Sequence, residues 1–280
     1  MKKGFRIALI AAGVLAVCCV GLYLLTIHEL RVRTLLPNSS HRPSPEPVTW
    51  IEAAPGVRIA AFYLPAPSDD TLTVLYSYGN LEELAGKKYL LEAVHAMGYG
   101  AVGYDYEGFG SSDGEPDIFA ALRDADAVWE FLVNEAGVPE DRIVVAGFSM
   151  GTGPACYLAS KHPAAGVFLE CAFASLLQIV IPWSGWPLDP YDNESWLAGN
   201  RAPLLLLNAE RDEVVAPRNI PKLAAASAGP VESVTVPGAG HSNVREVMGD
   251  EAYFRLIKRF LDFCRDYRLA EKNSLSGVGD

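Results

Sequence analysis

Gly147-Phe148-Ser149-Met150-Gly151 sits between the β-branched run Ile143 to Val145 and the helix-forming stretch Pro154 to Lys161. That context reads as a strand, a sharp turn and a helix, with Ser149 at the apex. A serine on such a turn holds a backbone conformation few side chains allow, and small residues two before and two after it prevent clashes with the neighbouring chain. The turn lifts the hydroxyl clear of the sheet. It also leaves the amide of Met150, at the helix start, able to donate to a developing oxyanion. The five-residue pattern arises by chance in many chains, so the strand and helix flanks give it most of its value.

A hydroxyl is a poor nucleophile at neutral pH and needs a base near its proton and a carboxylate to hold that base in one tautomer. Pro203 to Ala209 reads as a buried parallel strand, and the polar turn Glu210, Arg211, Asp212 follows it directly. A second short strand, Glu232 to Val236, ends in Pro-Gly-Ala-Gly-His, whose glycines make a loop able to return His241 over the sheet. His241 is the expected base and Asp212 the expected acid, with Glu210 and Glu213 as rivals whose longer side chains would have to fold back. The other histidines, His28, His41, His95 and His162, fall in or near the N-terminal apolar segment or on helices, where surface and capping roles are usual.

Several further motifs stand in one order: YSYGN at 76–80, GYDYEGFGSSDGEP at 103–116, GFSMG, ECAFASL at 170–176, DEVV at 212–215 and GAGHSN at 238–243. In this order they resemble the membrane-anchored α/β-hydrolases of the BEM46/ABHD13-like group, related to serine aminopeptidases and prolyl oligopeptidases, over roughly Thr71 to Asn243. The resemblance implies a second oxyanion amide from the residue after Gly79, here Asn80. The family's usual His-Gly-Asn is Tyr78-Gly79-Asn80 in this chain, which makes Tyr78 a substrate-pocket candidate. Thr152 replaces a frequent second glycine after the turn and is expected to be tolerated. The glycine-rich loop after Tyr104 is expected to wall the site, with Asp105 and Glu107 outside the chemistry.

Eight strands are expected: an antiparallel pair over Val48 to Glu52 and Val57 to Leu64, then Thr71 to Tyr78, Ala101 to Tyr106, Arg142 to Phe148, Gly166 to Leu169, Leu204 to Ala209 and Glu232 to Val236. Helices alternate with them near Lys87 to Met97, Ile118 to Glu135, Gly153 to Lys161, Ile220 to Ala226 and Tyr253 to Tyr267, so the fold class is α/β, a mostly parallel sheet flanked by helices. The Trp- and Pro-rich stretch 172–201 is expected to form a small lid, with Trp183 and Trp186 as pocket candidates and Trp196 nearby.

Ile7 to Ile27 runs 21 residues without a charge after Lys2, Lys3 and Arg6, long enough to cross a hydrocarbon core of about 30 Å. With no small-residue cleavage site after it, residues 1–33 read as a retained signal anchor and 34–47, rich in Pro and Ser, as a stalk. The hydrolase domain is expected over 48–270 and a flexible tail over 271–280. Positive charge before the span places that domain outside the cytoplasm. From Val48 onward the chain has 17 basic and 32 acidic residues, net −15, which opposes nucleic acid and anionic headgroups. Three cysteines lie outside the span, Cys156, Cys171 and Cys264, with neither metal-ligand nor disulfide spacing. Neither a metal nor a cofactor is expected.

The sequence therefore points to a serine esterase that releases acyl groups from small or lipid-like esters or thioesters and is held at the membrane by its N-terminal helix. Alternatives are a serine peptidase of the same fold and a non-catalytic extracytoplasmic binding scaffold.

Overall fold

The computed structural model describes residues 2–34, 42–68, 70–180 and 189–276. Among them eight strands form one sheet: β1 (Thr49–Ala54), β2 (Val57–Leu64), β3 (Thr73–Ser77), β4 (Gly100–Tyr104), β5 (Ile143–Phe148), β6 (Gly166–Glu170), β7 (Leu204–Ala209) and β8 (Val231–Val236). Their spatial order is β1-β2-β4-β3-β5-β6-β7-β8. The pairings β1–β2 and β2–β4 are antiparallel and the rest parallel. Every residue of β3 to β7 is buried, whereas the edge strand β8 is mostly exposed or half-buried. That is why the central strands read as continuous apolar runs: helices cover both of their faces.

The helices are α1 (Lys2–Thr34), α2 (Leu84–Ala96), α3 (Ile118–Glu130), α4 (Thr152–Lys161), α5 (Leu176–Val180), α6 (Asn193–Leu197), α7 (Asn219–Ala226), α8 (Val244–Met248) and α9 (Asp250–Ser276). From β3 the chain crosses to β4 on one side, while from β5 it crosses to β6 on the other. Right-handed crossovers in opposite directions put their helices on opposite faces, so α2 meets α9 on one face, and α4 contacts α3 and α6 on the other. The reversal falls between β3 and β5, the crevice where open α/β sheets bind ligands.

Local chemistry sets the element ends. Asp117 caps α3 by accepting the amides of Phe119 at 2.7 Å and Ala120 at 3.3 Å. The helix continues as a π-helical turn over Phe131–Glu135, so the expected single helix to Glu135 changes its winding at Phe131. On α9, Tyr253, Leu256, Ile257, Phe260, Leu261 and Cys264 recur at three- and one-residue steps and are buried, one apolar stripe facing the sheet. Gly166 of β6 makes room for it, since a Cβ there would stand 2.4 Å from Cys264 Sγ.

Two boundaries differ from expectation. The stalk proposed over 34–47 includes residues already fixed to the domain: Arg42 pairs with the buried Glu83, and buried Ser44 donates to Asp105. Short polar residues between prolines look like linker in sequence; their partners lie 41 and 61 residues away. The flexible tail expected from 271 instead begins as the last turns of α9, where Lys272 and Arg268 both pair with Asp141.

Within α1, Ile7–Glu29 has mean hydropathy 2.6 and is long and apolar enough to cross a membrane. Its apolar side chains are exposed on all sides, unlike those of any helix on the sheet. Near its end, Ile27 packs on the core and α1 meets α3.

Candidate active site

Ser149 follows β5 with φ +50°, in the left-handed region that costs about 1–3 kcal/mol for a residue with a side chain. The two flanking glycines are required by contact: a Cβ on Gly147 would lie 2.3 Å from Gly151 O, and one on Gly151 would lie 2.0 Å from Ser77 O. Thr152 Oγ1 donates to Ser149 O at 2.6 Å and accepts from Asn193 Nδ2 at 3.3 Å. Thr152 thus ties the turn to α6.

His241 arrives from the loop after β8. Its Nε2 lies 2.8 Å from Ser149 Oγ, and its Nδ1 lies 2.8 and 3.0 Å from the two Asp212 carboxylate oxygens. Phe148, one residue before the serine, sets a ring 5.3 Å from the imidazole. Asp212 follows β7 and its Oδ1 also accepts the amides of Val214 at 2.9 Å and Val215 at 2.7 Å. Burial alone would raise its pKa; the His241 hydrogen bond and the Val215 and Val214 amides outweigh it and leave the carboxyl below its ordinary value. The rival acids serve the loop backbone: Glu213 accepts from the His241 amide at 3.4 Å and Glu210 from the Gly238 amide at 2.8 Å.

Met150 is the second residue of the helical turn Ser149–Gly151, where first-turn amides lack intrahelical partners. Asn80 stands in the turn after β3, followed by Leu81 at φ +61°; the preceding amide, of Gly79, is spent on Glu82 Oε2 at 2.9 Å.

Tyr78, a pocket candidate, faces inward and lines none of the cavities formed by the described residues. Its side chain is fully buried, its hydroxyl donates to Asp105 Oδ1 at 2.7 Å, and its ring meets Tyr106 edge-on at 4.9 Å. The tyrosine side chain is accommodated inward, by a carboxylate under the loop. Trp183 and Trp186, the other pocket candidates, lie outside the described residues. The described flanks of the expected lid are anchored: Phe173 stacks on Tyr191, whose hydroxyl donates to Ile118 O at 2.6 Å, and Trp196 packs against Tyr157 and Tyr191.

Sequence reasoning gave Cys171 and Glu170 no part in the site. Cys171 has φ +51°, and its thiol donates to His241 O at 3.5 Å. Its sulfur lies with ligand atoms of Asp212 and His241 inside a 4.8 Å cluster of metal-binding type. Burial raises the thiol's pKa, which keeps it protonated and a poor metal ligand, and the other two groups hold each other.

The matches to known proteins follow this geometry. A family model described as serine aminopeptidase, S33, matches residues 71–187. An uncharacterized protein of Mycobacterium tuberculosis (strain CDC 1551 / Oshkosh) is 31% identical over 218 residues, 75% of this chain and 77% of its own. Human alpha/beta hydrolase domain-containing protein 17B is 27% identical over 209 residues, 74% of this chain and 72% of its own. The chain belongs to the α/β-hydrolase family. Among solved structures, the hydrolase superposes on the Pyrococcus furiosus esterase Pf2001 with TM-score 0.64 at 18% identity, covering 82% of this chain and 98% of that one. Ferulic-acid-bound Est1E from Butyrivibrio proteoclasticus gives 0.59 at 17% identity, covering 75% and 98%. At these identities the likeness is one of fold.

Proposed function

We propose that the protein is a serine hydrolase of carboxylic esters or thioesters, with Ser149 as nucleophile, His241 as general base and acid, and Asp212 as the group that orients the imidazole. The observation that carries this reading is His241, within 2.8 Å of the serine hydroxyl on one nitrogen and of the Asp212 carboxylate on the other. Ser149 Oγ attacks the carbonyl carbon as its proton passes to Nε2; the imidazolium is stabilised by the ionised Asp212, then returns the proton to the leaving alcohol or thiol. Amides of Met150 and Asn80 hold the oxyanion. Water, deprotonated by the same imidazole, then attacks the acyl-enzyme and frees the acid.

A peptidase of the same fold is the second reading, favoured by the serine aminopeptidase model over residues 71–187. By its motifs we also assign the chain to the membrane-anchored BEM46/ABHD13-like group, with the span Ile7–Glu29 as anchor, Lys2, Lys3 and Arg6 on its cytoplasmic side and the hydrolase domain outside.

A panel of p-nitrophenyl esters, acyl thioesters and aminoacyl anilides separates the readings. Faster turnover of esters and thioesters than of anilides, abolished in Ser149→Ala, is the expected result. Anilides turned over fastest would make it a peptidase, and undiminished ester turnover in Ser149→Ala would remove the serine from the chemistry.

A further inference from the structure

Large apolar side chains project from the edge of the sheet that carries Ser149. Strands β3 to β8 run parallel, so the connections that leave their carboxyl ends share this edge. Leu81 follows β3, Phe119 lies in the first turn of α3 after β4, Ile179 on α5 after β6, Val214 follows β7, and Val247 lies on α8 after β8. Each is between 43% and 57% exposed. A single exposed apolar residue is ordinary, whereas one in each of these neighbouring connections makes a rim.

The N-terminal span reaches the domain at the same connections. Its Tyr23 and Ile27 are half-buried: Ile27 packs on the core, α1 meets α3, and Tyr23 stands close enough to Asp189, between β6 and β7, to feel its charge. Beyond the span, Arg42 pairs with Glu83 after β3 and Ser44 donates to Asp105 after β4. A helix that crosses a bilayer and meets the domain within its own apolar stretch brings this edge to the lipid surface. Ile179 and Val214 also line a cavity of about 140 Å³ whose lining includes Arg218 and Lys222 and no carboxylate; Lys222 donates to the neutral Gln178 at 2.8 Å. Cations beside apolar side chains match the phosphate and acyl chains of a phospholipid. The net −15 from Val48 onward disfavours anionic headgroups, which leaves a zwitterionic one.

We infer that the edge carrying Ser149 rests on the bilayer crossed by α1 and that its acyl substrate is a zwitterionic phospholipid of that bilayer. The docking rests on the span as an anchor, and the substrate on the proposed esterase reaction. Ser149 takes the acyl group as the glycerol oxygen leaves with the proton from His241; water then releases the fatty acid, and a lysophospholipid remains.

Nitroxide labels test the docking without turnover. Cys18→Ser and Cys19→Ser in the full chain leave only buried thiols. Into that chain Phe119→Cys, Ile179→Cys and, as a control at the amino-terminal end of β8, Val231→Cys each introduce one label site, read in phosphatidylcholine vesicles. Oxygen, which concentrates in lipid, should relax the labels at positions 119 and 179 more than a water-soluble nickel chelate does, with the order reversed at 231. Labels at 119 and 179 as open to the chelate as that at 231 overturn the docking, and a chain that fails to float with the vesicles overturns the anchor as well. Fatty acid released from the same vesicles by the unlabelled chain, and not by Ser149→Ala, is the result expected for the substrate. Intact phospholipid beside hydrolysis of p-nitrophenyl butyrate would overturn that substrate while the esterase reading stands; inertness towards both would remove the esterase reading with it.

Discussion

Two aspartates stand just beyond carboxyl ends of strands in the same sheet, Asp105 after β4 and Asp212 after β7, and their surroundings give them opposite properties. Asp212 faces an imidazole and two amides, and its carboxyl is held below the ordinary value against the pull of burial. Asp105 is fully buried and accepts from Tyr78 at 2.7 Å, from the Leu84 amide at 2.8 Å and from Ser44. Burial prevails there and its carboxyl is raised, although those three donors oppose it. The difference lies in what the partners can become. An imidazole can take a proton and turn cationic, so the carboxylate beside it stabilises a charge that appears during a reaction. Hydroxyls and an amide only fix geometry, and the carboxylate among them ties the stalk, the turn after β3 and the loop after β4 into one unit. Gly110 shows how tightly: at φ +49°, a Cβ there would stand 2.0 Å from Asp105 Oδ2.

Substitution of each acid should break the comparison cleanly. Asp212→Asn is expected to lower kcat for a p-nitrophenyl ester by about 10⁴-fold with little loss of thermal stability, measured by initial rates and a melting curve. Asp105→Asn should do the opposite, lowering stability by about 1–3 kcal/mol because an amide NH₂ cannot accept as a carboxylate does, with kcat changed far less. A rate loss in Asp105→Asn as large as that of Asp212→Asn, in protein that remains folded, would merge the two roles.

Removing one donor gives a smaller effect. Tyr78→Phe strips one hydrogen bond from Asp105 and should cost about 1–3 kcal/mol in urea unfolding, while ester selectivity stays as it was, since Tyr78 is closed off from solvent. A shift in acyl-chain preference would restore Tyr78 as a pocket residue. Ser44→Ala should cost about 1 kcal/mol, and its effect reports that residues before β1 are part of the fold.

pH sharpens the contrast through its sign. Asp212 has a folded pKa below the unfolded value, so its stabilisation is present above about pH 4 and is lost as pH falls through the folded value. Asp105 has a raised folded pKa, so its contribution is full below about pH 4 and is lost as pH rises through the folded value. Urea midpoints from pH 3 upward should therefore show the gap between wild type and Asp212→Asn widening with pH and the gap for Asp105→Asn narrowing. Parallel gaps would contradict the assignment of the two environments.

The sheet was legible because burial on both faces makes β3 to β7 continuous apolar runs, and the turn at Ser149 because contact with Gly151 O and Ser77 O admits only glycine at its flanks. Ser149, Asp212 and His241 follow the ends of β5, β7 and β8, and position along the chain translated into proximity. Ser44, Arg42 and Glu170 were not legible, since each acquires its meaning from a partner 41 to 83 residues away that leaves no local pattern. Tyr78 was misread for the same reason: a tyrosine in a glycine turn looks exposed until its hydroxyl finds Asp105. The length of α9 was underestimated because its last turns are polar and held by ion pairs to Asp141 rather than by an apolar stripe.

The central claim is that the hydroxyl of Ser149 is made nucleophilic by His241. Fluorophosphonate labelling followed by peptide mass spectrometry measures it at the atom concerned. One phosphonyl group on the peptide carrying Ser149, formed much more slowly in His241→Ala, is the predicted result. Labelling at another residue, or at Ser149 with a rate indifferent to His241, would contradict it.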